Sequence, residues 1–339
     1  MMNVFELTRR LIEIPSISGA EKAVAEFLAD YLSRMGFSVD LQEAEANRPN
    51  LYARHGEPQV VMSTHTDTVP PYVEFREDEQ AIYGRGACDA KGIIAAMVKA
   101  AEQLLAVGAT DFGLLFVVGE EAGSAGACAA NQMANRSRYL INGEPTESRL
   151  ALGSKGALRA ALKATGRAAH SAYPHMGESA IDKLLDILAD LRRLELPTDA
   201  RLGPSTLNIG IIKGGVATNV IAPEAEAELL FRIVTDAATV KRLFEAMVSG
   251  RAEIAYSFAC DAVFMEALEG FETEVVAFTT DIPLLGNWGK PLLFGPGSIL
   301  DAHTEHERIS KSELLRAVDV YTEMVTTLQA RIADGARPA

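Results

Sequence analysis

The chain has 339 residues, 48% apolar and 23% charged, which is enough core material to fold without staples and enough length for two domains. A formal net charge of −14 excludes a general nucleic-acid or anionic-membrane surface, because both need a basic footprint. Cys88, Cys128 and Cys260 have no CxxC spacing, which excludes a disulfide framework and a zinc knuckle; with no leader-like start and no run of about 18 apolar residues, a cytoplasmic protein is expected.

In chain order, the opening predicts a helix. Ser18-Gly19-Ala20-Glu21 then offers a capping box for the amphipathic "AVAEFLADYLSRM", which Gly36 stops. "FSVDLQE", "NLYARHG" and "QVVMSTH" predict strands, the last nearly all apolar and so central in a sheet. The helix "KGIIAAMVKAAEQLLAVG" follows, then the strands "FGLLFVV" and "RYLING". This alternation predicts an α/β fold, a mixed and largely parallel sheet sandwiched by helices.

From about residue 151 the texture changes, with "GSKGALRAALKATGRAAH" expected to be a strand with one wet face. A strand-helix-strand-strand-helix-strand order follows, the pattern of a ferredoxin-like α+β unit. The expected division is a larger domain of residues 1–150 and 258–339 with this unit inserted at 151–257. "PLLFGPGSIL" predicts a last core strand, Ser310 to Glu313 a second capping box before the final helix, and "DGARPA" a frayed end.

Charged groups gather just past the apolar strands. "VVMSTHTD" ends on His65 and Asp67, "VVGEEAGSAG" carries Glu120 and Glu121, and "YLINGEPT" carries Glu144. Asp89 stands immediately before a helix, where an aspartate N-cap is common, so capping and ligation both remain open for it. Ligands of open α/β sheets bind at the carboxyl ends of the strands, so these loops are expected to converge. Carboxylates crowded and partly desolvated cost several kcal/mol each unless a cation neutralises them. Imidazole and carboxylate donors without thiolate fit zinc, with manganese or cobalt as substitutes. Asp67 is the expected partner for the second ring nitrogen of His65.

The segments "STHTDTVP", "YGRGACDAKG", "VVGEEAGSAGA", "INGEPT", "GRAAHSAYPHMGESAI", "GGVATNVIAPEAEAELLFR" and "GPGSILDAHTEHE" run in order over nearly the whole chain. Together they resemble the di-zinc metallohydrolases that include acetylornithine deacetylase, succinyl-diaminopimelate desuccinylase, aminoacylase and glutamate carboxypeptidase. The resemblance implies two zinc ions, with His65 and Glu144 on the first, Glu121 and His303 on the second, and Asp89 bridging them. It also makes residues 1–150 and 258–339 the catalytic domain and 151–257 a lid and dimerisation domain, Glu120 the general base, His170 an oxyanion donor contributed across a homodimer, and Asn219 and Arg232 binders of the substrate carboxylate. Spacing alone does not divide ligand from base, because neighbouring side chains after a strand point opposite ways.

The expected function is removal of an acyl group, acetyl first, from an amino acid such as N-acetylornithine. "GRGACDAKG", "GEPTESRLALGSKGALR" and "AHSAYP" resemble that branch most. A dipeptidase or carboxypeptidase and an acyl-lysine deacylase of amino-acid biosynthesis are the alternatives, and a non-catalytic binding homologue is a further one. His55 and Cys88 keep structural roles in this reading, and His175 and His306 are left to the surroundings of the site or to solvent.

Overall fold

Helix α1 (Val4–Ile12) begins with a capping box in which Asn3 accepts from the Glu6 N–H and the Glu6 carboxylate accepts from the Asn3 N–H. The computed structural model describes residues 2–335. The box expected at Ser18 is absent. Helix α2 (Lys22–Arg34) starts at Glu21 with no side-chain cap. The reason is competition: Ser18 donates to the Asp67 carboxylate, and Glu21, fully buried, pairs with Arg48 at 2.5 Å.

Strands β1 (Ser38–Glu45), β2 (Arg48–His55), β3 (Val60–His65), β4 (Phe112–Val117), β5 (Tyr139–Asn142) and β6 (Leu150–Ser154) belong to one sheet. Numbered with the later strands of the second unit counted in between, β11 (Lys290–Leu293) inserts between β5 and β6, giving the order β1-β2-β4-β3-β5-β11-β6. The pairs β4/β3, β3/β5 and β5/β11 are parallel, and the flanking pairs are antiparallel. Alternation along the strands sends Val60 and Met62 to one core and Val61 to another, so helices cover both faces. Helix α3 (Lys91–Ala106) is buried nearly all round and packs against α1 and α7 (Lys311–Gly335). On the opposite face α4 (Ala125–Ala130) supplies Ala127 and Ala130 to the cluster around Trp288. Since α7 reaches Gly335, the first residues of "DGARPA" are helical, and residues 336–339 lie outside the described residues.

The chain divides into two units. The one just described runs to Leu152 and resumes with Met265–Glu274 and from Thr280 onward. The other comprises Gly153–Phe264 and Val275–Thr279. It contains β7 (Gly156–Thr165), α5 (Ala180–Leu191), β8 (Thr206–Gly214), β9 (Glu224–Ile233), α6 (Ala237–Val248) and β10 (Glu253–Cys260). The antiparallel order β8-β9-β7-β10 is the ferredoxin-like arrangement. Along β9 alternate residues are buried against α5 and α6, and Glu224, Glu226 and Glu228 face solvent. The strand expected to reach His170 ends at Thr165, where Gly166 leads into a loop that meets Val220 through a single bridge at His170.

Candidate metal centre

The parallel strands deliver their chemistry to one sheet edge. His65 is the last residue of β3, Glu120 and Glu121 follow the end of β4, and Glu144 follows β5. Strand β3 is buried along its whole length, so its terminal imidazole is 1% exposed, deep enough for charge to matter. Gly119 turns the chain after β4 with φ of +78°, and a Cβ there would stand 2.8 Å from the Arg48 guanidinium. The small residues of "AGSAG" do admit a close approach, but what approaches is backbone: a Cβ on Gly126 would meet the Val118 carbonyl at 2.3 Å.

Asp89 divides its carboxylate between two imidazoles. Its Oδ1 lies 2.9 Å from His65 Nε2, and its Oδ2 lies 3.2 Å from His303 Nε2. Glu144 Oε2 stands 3.9 Å from His65 Nε2, and Glu121 Oε1 stands 2.8 Å from His303 Nε2. Ligand atoms of His65, Asp89 and Glu121 all fall within 4.8 Å of one another. Asp89 does not cap α3, whose N-cap is Ala90 without a side-chain bond; its carboxylate is turned to the histidines instead.

These contacts suit a cation. The Nδ1 of His65 lies 3.0 Å from the backbone carbonyl of Asp67, which can only accept, so Nδ1 carries the hydrogen. Its Nε2 therefore faces two carboxylates, and a second proton or a metal ion must stand between them. Burial alone would lower the His65 pKa, yet the neighbouring Asp67, Asp89 and Glu144 hold it well above its usual value. Enclosure raises Glu120 well above the carboxylate range, as does repulsion from Asp281, Asp89 and Glu121, against the pull of His65. Burial does the same to Glu144, whose buried Oε1 has no hydrogen-bond partner among the described residues. Repelling oxygens, an orphaned carboxylate atom and two imidazole lone pairs form the donor set a hard-to-borderline divalent ion takes.

Asp67 acts on this cluster in two ways. Its carbonyl fixes the His65 ring, while its carboxylate accepts from the N–H groups of Gly119, Glu120 and Glu121 at 2.9, 3.1 and 3.2 Å. The expected carboxylate contact to Nδ1 is longer, at 3.5 Å.

Comparison with known proteins decides the family. Residues 152–256 match the model of a peptidase dimerisation domain. A peptidase M20 domain-containing protein of Schizosaccharomyces pombe is 39% identical over 336 residues, covering 95% of this chain and 84% of the relative. The chain belongs to the M20 peptidase family. A probable carboxypeptidase of Aspergillus clavatus is 34% identical over 365 residues, covering 95% of this M20 chain and 88% of that protein. The fold is shared with a tripeptidase of Staphylococcus aureus, at a TM-score of 0.79, 22% identity and coverage of 94% and 96%. It is also shared with an M20 family metallo-carboxypeptidase of Sulfolobus solfataricus, at a TM-score of 0.74, 18% identity and coverage of 95% and 98%. Membership makes this a metal-dependent hydrolase of amino-acid or peptide amide bonds. Among the described residues no helix is long and apolar enough to cross a membrane.

In the second unit of the M20 chain, His170 and Asn219 are exposed and sit on adjoining loops, with the Ser171 N–H donating to the Asn219 carbonyl at 3.0 Å. The Ala172 N–H lies 3.2 Å from His170 Nδ1. Arg232 is half-buried on β9, registered between Thr206 and Ala157, and makes no ion pair among the described residues. Burial and the charge of Arg159 both lower its pKa.

Sequence reasoning passed over two buried carboxylates of the first unit. Asp281 is 1% exposed, its Oδ1 has no partner among the described residues, and burial pushes its pKa up to about 6 against a bond from Ser124. No periodic apolar run flanks it, so no sequence signal marked it. Glu307 ends the quoted motif "DAHTEHE", but its partners are mainly backbone N–H groups, which carry no residue signature.

Proposed function

We propose that this M20 chain binds two zinc ions, with His65 and Glu144 holding one, Glu121 and His303 the other, and Asp89 between them. The observation that carries this reading is the division of Asp89, whose two oxygens face two different histidine–glutamate pairs. Cobalt and manganese would substitute, since the donors include no thiolate. Bound there, the metal pair supplies Lewis acidity toward a substrate carbonyl and lowers the pKa of water.

Glu120 is the general base in this reading. Its carboxyl hangs from the turn that Asp67 anchors, it takes a proton from the attacking water, and it returns that proton to the departing amine. Its enclosure and the neighbouring Asp281, Asp89 and Glu121 raise its basicity, the direction a general base needs. His170 would offer a hydrogen bond to the developing oxyanion from a partner subunit of a homodimer, a kind of contact worth about 3–4 kcal/mol. Asn219 and Arg232 would hold the substrate carboxylate, the guanidinium by a two-pronged contact.

The substrate we propose is a short peptide cleaved next to its free carboxyl end, by carboxypeptidase or dipeptidase chemistry, inside the cytoplasm. Relatives named probable carboxypeptidase support it. A second reading, deacetylation of an N-acetyl amino acid such as N-acetylornithine, is favoured by the "GRGACDAKG" and "AHSAYP" segments. Hydrolysis of dipeptides, tripeptides and acetylated or succinylated amino acids, each with zinc, cobalt or manganese, separates them. Faster turnover of peptides supports the first reading, and faster turnover of N-acetylornithine supports the second. Metal-loaded protein that cleaves none of them refutes both.

A further inference from the structure

Two loops that meet at the candidate metal centre, one carrying Asp89 and the other His303, are joined beneath it by the buried side chains of Glu307 and Arg85. Glu307 is 1% exposed, and its carboxylate is surrounded by donors from the Asp89 loop. Its Oε1 accepts from the N–H groups of Gly86, Cys88 and Asp89 at 2.9, 3.3 and 3.2 Å. Its Oε2 accepts from Arg85 Nη1 at 2.7 Å. The ladder closes further up, where the Gly84 N–H donates to the Glu307 carbonyl at 3.1 Å.

Arg85 is itself buried and gives two further bonds to main chain, from Nε to the Pro71 carbonyl at 3.1 Å and from Nη1 to the Thr304 carbonyl at 3.2 Å. Thr304 follows His303 directly. The guanidinium therefore reaches the His303 loop by two routes, through Thr304 and through Glu307, while the Glu307 carboxylate grips the loop that ends in Asp89.

A buried carboxylate carries a desolvation cost of several kcal/mol, and a neutral side chain of the same shape would avoid it. What an anion provides is a common focus for several N–H groups of one short loop, here Gly86, Cys88 and Asp89 while Ala87 turns its own to the Gly84 carbonyl, which holds the backbone in a concave arc. The arc sets the direction in which the next side chain leaves the chain, and that side chain is Asp89.

We infer that Glu307 is a positioning residue for the metal centre: its charge curls residues 86–89 so that Asp89 presents one oxygen to His65 and the other to His303. The inference rests on the two-metal reading above for its consequence, though not for its geometry. Glutamine in its place keeps the shape and one accepting oxygen, but turns an NH2 group toward Arg85 and sets donor against donor.

The test uses the whole protein. In Glu307→Gln, zinc affinity measured by competition with a chromophoric chelator is expected to weaken by about 10–100-fold, with kcat falling and KM little changed. Glu307→Asp, which restores the charge one methylene short, should recover part of both losses. A merely structural role would lower the melting temperature of the metal-free protein and leave the zinc affinity of the folded fraction intact. Equal zinc affinity and equal kcat in a folded Glu307→Gln protein would overturn the inference. Should that variant not fold, hydrogen exchange resolved to single amides in the native protein decides the matter. Protection of Gly86, Cys88 and Asp89 is expected, and exchange at unprotected-chain rates would overturn it. Failure of the two-metal reading shows differently, as native protein that takes up no zinc while those amides stay protected.

Discussion

Ser18 donates its hydroxyl to Oδ2 of Asp67 at 2.7 Å, across 49 residues of sequence. The bond completes a ring of donors around a carboxylate that also holds the N–H groups of Gly119, Glu120 and Glu121. Ser18→Ala should cost about 1.5–3 kcal/mol, the range for a hydrogen bond to a charged group. Asp67→Asn should cost more, because an amide turns donors toward backbone N–H groups. Chemical denaturation of both variants measures the difference; equal stability of Ser18→Ala and the native protein would remove Ser18 from the ring.

For Glu120 the expected outcome is selective. Glu120→Gln should lower kcat by about 10²–10⁴-fold and leave zinc content unchanged. Elemental analysis beside hydrolysis rates checks it, and a variant with full zinc and full turnover would end the assignment of the base.

Metal removal should act on stability as well as rate. Dialysis against a chelator should abolish hydrolysis, and zinc should restore it. Free zinc at about 100 times its dissociation constant should raise the unfolding free energy by about 2.7 kcal/mol for each site. His303→Ala should forfeit the share of one site, which calorimetric titration would read as a lost binding step.

Arg48 holds the Glu21 carboxylate at 2.5 Å and packs beside the Gly119 turn. Its side chain is 13% exposed and that of Glu21 is not exposed at all, so Arg48→Met strands a buried charge. The expected loss is about 3–5 kcal/mol, with Glu21→Gln in the same background recovering much of it. A double-mutant cycle in urea gives the coupling directly.

The thiols should react in order of exposure. Burial, helped by Asp261, pushes Cys260 from 9.0 up to about 11, and burial with Glu307 and Asp89 also raises Cys88. Cys128 is exposed. At pH 8 a disulfide reagent should therefore label Cys128 first, Cys260 slowly and Cys88 only on unfolding. The sign for stability follows from linkage: the folded state keeps a Cys260 proton that the unfolded chain releases from about pH 9. That contribution is full below the unfolded pKa and is lost as pH rises toward 11. Cys260→Ala should flatten this part of the stability curve, and an unchanged curve would count against the raised pKa.

What could be read in the sequence was whatever ends an apolar run. His65, Glu120, Glu121 and Glu144 stand where buried strands stop, and both the strand pattern and the ferredoxin-like order follow hydrophobic periodicity. Ser18 was misread because a capping box and a long-range bond ask for the same residue type, and only the fold shows which acceptor is near. Asp281 lies between short turns with no pattern around it. That Asp89 serves two histidines and not its own helix is a fact of backbone direction, which spacing does not carry.

The place of β11 between β5 and β6 has a consequence for birth of the protein on the ribosome. Synthesis delivers Tyr139–Asn142 and Leu150–Ser154 early, while the strand that stands between them in the finished sheet is translated far later. Until Lys290–Leu293 emerges, the nascent chain presents an unpaired strand flank, and His303 follows only after that strand.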